Sequence, residues 1–179
     1  MIKVVGGKYR SRNLLTPEEG TLPSKNMVRG AMISALMTSI KGARVLDLFA
    51  GSGALGIEAL SQGAAYCVFV DVNKKAAEVV KKNLSTLKEE NAAVYNQDYL
   101  SYLSSSSERF DIVFLDPPYA MKESYQKAVS ALLEKGMLSP DASIVLEYEG
   151  ELEIDTAPFG FTRDYKYGKT KVKLLRNPL

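Results

Sequence analysis

The sequence contains no histidine, no tryptophan and a single cysteine, Cys67. Without histidine there is no imidazole acid–base chemistry and no Ser-His-Asp triad, and one cysteine builds neither a disulfide framework nor a structural zinc site. Cys67 lies in the apolar run Tyr66-Cys67-Val68-Phe69-Val70 and reads as a small core residue, which fits a reducing cytoplasm. Long hydrophobic runs are lacking as well. None approaches the ~18 residues of a membrane span, and the stretch from Met1 to Lys8 has no signal-peptide character. A soluble cytoplasmic protein with no membrane partner is expected.

What is present is enough for one domain with a small appendage: 179 residues, of which 46% are hydrophobic, sufficient to bury a core. The net charge of +2 is unevenly placed, with +5 over residues 1–41, −8 over 42–162 and +5 over 163–179. Two basic ends around an acidic middle suggest a polyanionic partner, although solvated faces give the same pattern.

Residues 1–22 alternate apolar and basic positions around Gly6-Gly7 and predict a short strand pair or extended arm carrying Lys3, Lys8, Arg10 and Arg12. Residues 23–179 form the main domain. Ser24 is placed to cap a helix in which Val28, Ala31, Met32, Ala35 and Leu36 recur at helical spacing, with Gly42 ending it. Strands and helices then alternate: strands at 44–49, 66–71, 93–96, 110–115 and 143–148, helices at 53–62, 73–87 and 122–133, a polar loop at 104–107, and a closing strand pair at 161–167 and 171–176. This order predicts a doubly wound α/β fold with a mostly parallel sheet, which binds ligands beyond the carboxyl ends of its strands.

Two motifs stand at such ends. Gly51, Gly53 and Gly56 spell G-x-G-x-x-G between a strand and a helix, and Asp71 ends the next strand, placed to accept from ribose hydroxyls. A dinucleotide fits this loop. Asp47, just ahead of it, favours a ligand with a cationic amino acid and a sulfonium over a pyrophosphate, which it would repel. Asp98 after the third strand suits an adenine amino group, or merely caps a turn. The second motif is Asp116-Pro117-Pro118-Tyr119. The prolines have no N–H and stiffen the chain. The Asp116 carboxylate and the Pro117 carbonyl therefore make an acceptor-only edge for the two N–H groups of an exocyclic amine, with Tyr119 as a stacking face for an extruded base. Methyl transfer to such an amine needs positioning and electrostatics, with no metal and no covalent enzyme intermediate.

The chain resembles the RsmD-type 16S rRNA guanine-N2 methyltransferase family in Gly6-Gly7-Lys8-Tyr9-Arg10-Ser11-Arg12, in the run from Leu46 to Leu60, in Leu115-Asp116-Pro117-Pro118-Tyr119 and in Tyr167-Gly168-Lys169-Thr170. The resemblance implies a Rossmann-like class I fold of seven strands with an antiparallel last strand. It implies S-adenosylmethionine as cofactor, held by Asp47, Phe49, Ala50, Gly51, Ser52, Gly53, Asp71, Val72, Asp98 and Tyr99. It implies methylation at N2 of a 966-type guanine in 16S rRNA, with Asp116, Pro117, Pro118 and Tyr119 at the target base. The partner implied is a small ribosomal subunit or its assembly intermediate, met by a monomer. Lys8, Arg10, Arg12, Arg29 and Lys169 are the expected RNA contacts. Leu22-Pro23-Ser24 and Arg29-Gly30 depart from the family's usual Arg-Pro-Thr and Arg-Glu. A DNA amine methyltransferase and a non-catalytic RNA-binding module with the same fold are the alternatives left by the residues.

Overall fold

The computed structural model describes residues 2–17, 23–118 and 120–178. Tyr119, and Leu22 among the departures noted above, lie outside the described residues. The arm is an antiparallel pair, Ile2–Lys3 (β1) with Asn13–Leu14 (β2), joined through a 3-10 turn at Gly7–Tyr9. It is not a free flap. Ile2, Val4, Tyr9 and Leu14 are buried in the main core, and the arm's backbone is tied down by side chains of the domain. Glu58 Oε1 accepts from the Val5 N–H at 2.6 Å, Ser61 Oγ from the Tyr9 N–H at 2.9 Å, and Asn83 Oδ1 from the Leu15 N–H at 2.8 Å.

Helix α1 runs Pro23–Ala35, one residue earlier than the predicted cap, with proline in the first turn where its missing N–H is harmless. It ends well before Gly42. Residues 36–39 tighten into shorter-range bonds, such as Ser39 N–H to Leu36 O at 2.8 Å. The αβ alternation follows: Arg44–Asp47 (β3), Ala54–Ser61 (α2), Tyr66–Val70 (β4), Lys74–Leu87 (α3), Ala92–Tyr95 (β5), Tyr99–Ser105 (α4), Phe110–Leu115 (β6), Glu123–Glu134 (α5), Leu138–Glu149 (β7), Phe161–Tyr167 (β8) and Thr170–Arg176 (β9). Asn73 caps α3, its Oδ1 accepting from the Lys75 and Ala76 N–H groups.

The predicted loop at 104–107 is half wrong. Ser104 and Ser105 close α4, whose serines disguise a buried stripe of Tyr99, Tyr102 and Leu103 at positions i, i+3 and i+4.

The sheet order is β5-β4-β3-β6-β7-β9-β8. Only β9 runs against its neighbours. The antiparallel strand is last in the chain and next to last in the sheet. Leu46, Val68, Phe69, Val113, Phe114, Val145 and Leu146 are fully buried along the central strands, so apolar layers cover both faces, as a parallel sheet requires. The strand order reverses between β3 and β6, which opens a crevice at their carboxyl ends. No helix among the described residues is long and apolar enough to cross a membrane.

Candidate active site

A cavity of about 600 Å3 occupies that crevice. Its walls come from both sequence motifs: Phe49 to Ser52, Asp71, Val72, Asp98 and Tyr99 on one side, Asp116 to Pro118 on the other. Ile2, Thr16 and Pro17 of the arm, Lys25 and Arg29 of α1, Met121 and Glu147 complete it. A second hollow, beside α5 and residues 148–155, holds none of the motif residues, and its wall includes Glu123, Glu149, Glu151, Glu153 and Asp155.

The glycine loop divides its labour. Gly51 adopts a left-handed φ of 57°, and a Cβ there would meet no atom of the described residues within 4 Å, so the backbone stands open to a ligand. Gly56 serves packing instead. A Cβ at that position would fall 2.3 Å from the Phe69 ring and 2.7 Å from Cys67 Sγ, so glycine lets α2 lie directly on β4. Gly53 lies under the loop, beside Val80 and Phe69.

The carboxylates around the loop are engaged by backbone amides. Asp71 Oδ2 accepts from the Gly51 N–H at 2.8 Å and its Oδ1 from the Asn73 N–H at 2.9 Å. Each oxygen keeps a lone pair for a ligand hydroxyl. Asn96, not singled out in the sequence, donates to the carbonyls of Asp71 and Val72 at 3.0 and 2.9 Å and so fixes this strand end. Asp47 is buried beneath the loop and is absent from the cavity wall; its Oδ2 accepts from the Gly56 N–H at 3.1 Å. Burial pushes its carboxyl up to about 7, against the lowering effect of the Gly56 hydrogen bond and with a small addition from Asp71. Its carboxyl therefore supports the loop from beneath and does not face the cavity. Asp98 caps α4, with its Oδ2 3.0 Å from the Leu100 N–H, while remaining on the cavity wall. Phe49 and Tyr99 pack ring to ring at 5.0 Å, giving the cavity an aromatic side opposite the exposed Val72.

Asp116 follows β6 and differs from these. Among the described residues no backbone N–H donates to it. Its side chain interacts with that of Glu147, buried near the end of β7, the two carboxyls being hydrogen-bond partners. The register explains the meeting: Leu115 pairs with Leu146, and each carboxyl belongs to the next residue on its strand. Burial pushes the Asp116 carboxyl well above the usual carboxylate range, Glu147 adds to this, and Lys25 opposes it. The Tyr125 hydroxyl donates to the Glu147 carbonyl at 2.5 Å and anchors that strand. Glu147 and Lys25 were missed in the sequence. The signal for Glu147 was a charge at the end of the apolar run Ser143 to Leu146.

The cations separate. Lys169 is exposed in the turn between β8 and β9. Thr170 beside it pairs with Glu149, which places Lys169 at the carboxyl-end side of β7, two strands out from β6 and off the cavity wall. Lys8 and Arg12 sit at the other edge. Lys8 Nζ lies 3.4 Å from Glu89, and an Arg12 guanidinium N–H donates to the Thr86 carbonyl at 3.2 Å, both beyond or within the last turn of α3. The 14 residues of α3 put this point ~20 Å from the strand ends. Arg10 is exposed in the same turn region. Arg29, expected as a surface contact, is 6% exposed. Its guanidinium lies 3.9 Å from Glu58 and donates to the Lys3 carbonyl at 3.3 Å, so it holds the arm against α1 and α2. A Cβ on Gly30 would meet nothing within 4 Å among the described residues, so the departure there disturbs no packing between them.

The comparisons with known proteins agree with this architecture. The family described as conserved hypothetical protein 95 matches residues 2–176. The chain is 37% identical over 158 residues to ribosomal RNA small subunit methyltransferase D of Escherichia coli K12, covering 88% of this chain and 79% of that protein. It is 38% identical to the putative rRNA methyltransferase YlbH of Bacillus subtilis, covering 98% of each. The solved structure of the putative methyltransferase yhhF from E. coli superposes with a TM-score of 0.89 at 33% identity, over 99% of this chain and 98% of that one. The Rossmann-like methyltransferase fold, the motif-lined cavity at its switch point and these matches assign the chain to the conserved hypothetical protein 95 family, the family of the small-subunit methyltransferase D proteins.

Proposed function

We propose that the chain transfers a methyl group from S-adenosylmethionine to the exocyclic N2 amine of a guanine in 16S rRNA, at the 966-type position, acting as a monomer on a small ribosomal subunit or its assembly intermediate. One observation carries this reading: the acceptor-only end of β6, Asp116 and Pro117, opens into the same cavity as the exposed backbone at Gly51 and the Asp71 carboxylate. A nucleoside-bearing cationic ligand fits that side. The loop backbone lies open at Gly51, Asp71 accepts from hydroxyls, Asp98 and Tyr99 border a wall with Phe49, and Asp47 braces the loop from below through the Gly56 N–H. When bound, S-adenosylmethionine supplies a methyl carbon on a sulfonium, open to displacement by an amine nitrogen.

The residues of the chain do the rest. Asp116 and the Pro117 carbonyl accept the two N–H groups of the target amine, which frees the nitrogen lone pair from the ring and directs it across the cavity. Asp116 is also the nearest group to take the proton that the nitrogen sheds on methylation. Pro118, exposed on the cavity wall, borders the side where an extruded base would enter, and Tyr119 is the stacking face the sequence proposes for it. Lys25 on the cavity wall and Lys169 in the β8–β9 turn at the carboxyl-end side of the sheet are the cations to meet phosphates, while Lys8, Arg10 and Arg12 contact RNA only where the polymer wraps past the far end.

The test is transfer of a tritiated methyl to small subunits purified from cells lacking the modification. Wild-type protein is expected to label the 16S rRNA at a guanine, and Asp116→Ala to do so at least ~100-fold more slowly. Equal labelling by the variant would remove Asp116 from the reaction.

A further inference from the structure

Among the described residues, no backbone N–H or cationic side chain donates to the Glu147 carboxyl. A carboxylate buried at the end of a central parallel strand is expensive unless something partners it, and the contact on offer is a second acid, Asp116. Two acids side by side on the wall of a cavity present adjacent acceptors to whatever enters. Among nucleobases, that pattern distinguishes one edge. Guanine carries donors at neighbouring positions, the 2-amino group and N1–H. Adenine and cytosine place a ring-nitrogen acceptor beside their amines, which a carboxylate repels.

We propose that Glu147 reads the target base, its carboxylate accepting the N1–H of a guanine whose 2-amino group is held by Asp116 and the Pro117 carbonyl. The strand register supports this. Asp116 and Glu147 are successive in pairing to Leu115 and Leu146 on adjacent parallel strands, so their side chains leave the same face of the sheet about one strand spacing apart, ~4.8 Å. Neighbouring donors on a purine edge are ~2.5 Å apart and splay outward, so two acceptors at this spacing straddle them within hydrogen-bond reach. The Tyr125 hydroxyl on the Glu147 carbonyl fixes the strand end, so the acceptor pair is set before a base arrives. Lys25, also on the cavity wall, offsets part of the negative charge when both carboxyls are ionised. The inference rests on the guanine-N2 reading and adds the selectivity device to it. The same pair makes an adenine N6 amine a poor substrate despite an identical Asp-Pro-Pro-Tyr.

The experiment uses small subunits reconstituted with 16S rRNA that carries guanine or 2,6-diaminopurine at the target nucleotide. Diaminopurine keeps the 2-amino group and turns N1 into an acceptor. Wild-type protein is expected to prefer guanine by ~10^3-fold or more in kcat/KM, since a site built to accept a donor rejects the analogue lacking it. Glu147→Gln, whose amide both donates and accepts, is expected to bring that ratio within ~10-fold. A ratio left unchanged in Glu147→Gln while both rates fall together would overturn the proposal and leave the amine reading standing. So would wild-type protein that uses both bases equally, a result independent of whether the variant folds. No labelling of the guanine particle by wild-type protein would overturn the amine reading and this proposal together.

Discussion

Two carboxyl pairs stand at neighbouring strand ends and are built in opposite ways. Asp47 and Asp71, at the ends of β3 and β4, are each bound by backbone amides of the glycine loop and its surroundings. Asp116 and Glu147, after β6 and on β7, face each other without such donors. The first pair shapes a loop, and whatever it offers a ligand is left over from that task. The second pair is held in place by strands and proline and is engaged with itself rather than with backbone amides, on the wall of the cavity. Preorganised but unsatisfied groups in a cavity are what a reaction centre needs, whereas satisfied ones make a stable binding wall.

Removing one member of each pair breaks the comparison most sharply. Asp116→Ala should lower kcat for methyl transfer by at least ~100-fold and leave affinity for S-adenosylmethionine, measured by calorimetry, within about 3-fold. Asp71→Ala should do the reverse, with cofactor affinity falling by about 10- to 100-fold through loss of charge-assisted hydrogen bonds and of the Gly51 tether. If Asp116→Ala loses the cofactor as readily as Asp71→Ala does, the two pairs are not functionally separate.

The third effect is on stability. Asp47, held near 7 by burial, stays protonated in the folded chain while it ionises near 3.8 when unfolded. Between about pH 4 and pH 7 the folded state therefore binds more protons, and stability falls as pH rises through that window. Asp47→Asn keeps an oxygen for the Gly56 N–H and cannot ionise. It should flatten this part of the pH profile, by at most ~1.4 kcal/mol per pH unit, in denaturant titrations of the free protein. A wild-type profile already flat from pH 4 to 7 would show that Asp47 is ionised in the folded chain.

Much of this was legible in the sequence, because strand-end motifs report their own position. The glycine loop follows an apolar strand and the Asp-Pro-Pro-Tyr run ends another, and parallel topology then brings carboxyl ends together whatever the details of packing. What was not legible depended on register or on a distant partner. Glu147 meets Asp116 only because β7 begins at Leu138 and shifts its pairing between Phe110 and Ile112, and an irregularity of that kind leaves no periodic trace. Arg29 looked like a surface cation. Yet Met32, Ile33 and Leu36 follow it at i+3, i+4 and i+7, all buried, which places it on the inner stripe of α1, and burial is tolerated because Glu58 approaches from α2. The arm's strands were foreseen, but its route down to the far ends of α2 and α3 was not, since the ties run through Ser61, Asn83 and Glu89, residues with no motif of their own.

That route leads to the smallest predicted effect, and it turns on two sets of cations. Lys169 lies exposed in the β8–β9 turn, at the carboxyl-end side of β7, while Arg12 commits a guanidinium N–H to the Thr86 carbonyl in the last turn of α3, ~20 Å from the strand ends. Each phosphate contact adds roughly one unit to the slope of log affinity against log salt. Lys169→Ala should therefore reduce that slope for small-subunit binding by about 1 and weaken binding severalfold. Arg12→Ala should leave the slope unchanged and lower thermal stability slightly, by about 1 kcal/mol or less, because its work is to hold the arm to α3. A slope reduced equally by Arg12→Ala would mean that RNA reaches past the arm to the far edge. The bound polymer would then span the whole flank from the cavity to the carboxyl end of α3, and the basic N-terminal arm would belong to the RNA-binding surface as well as to the core.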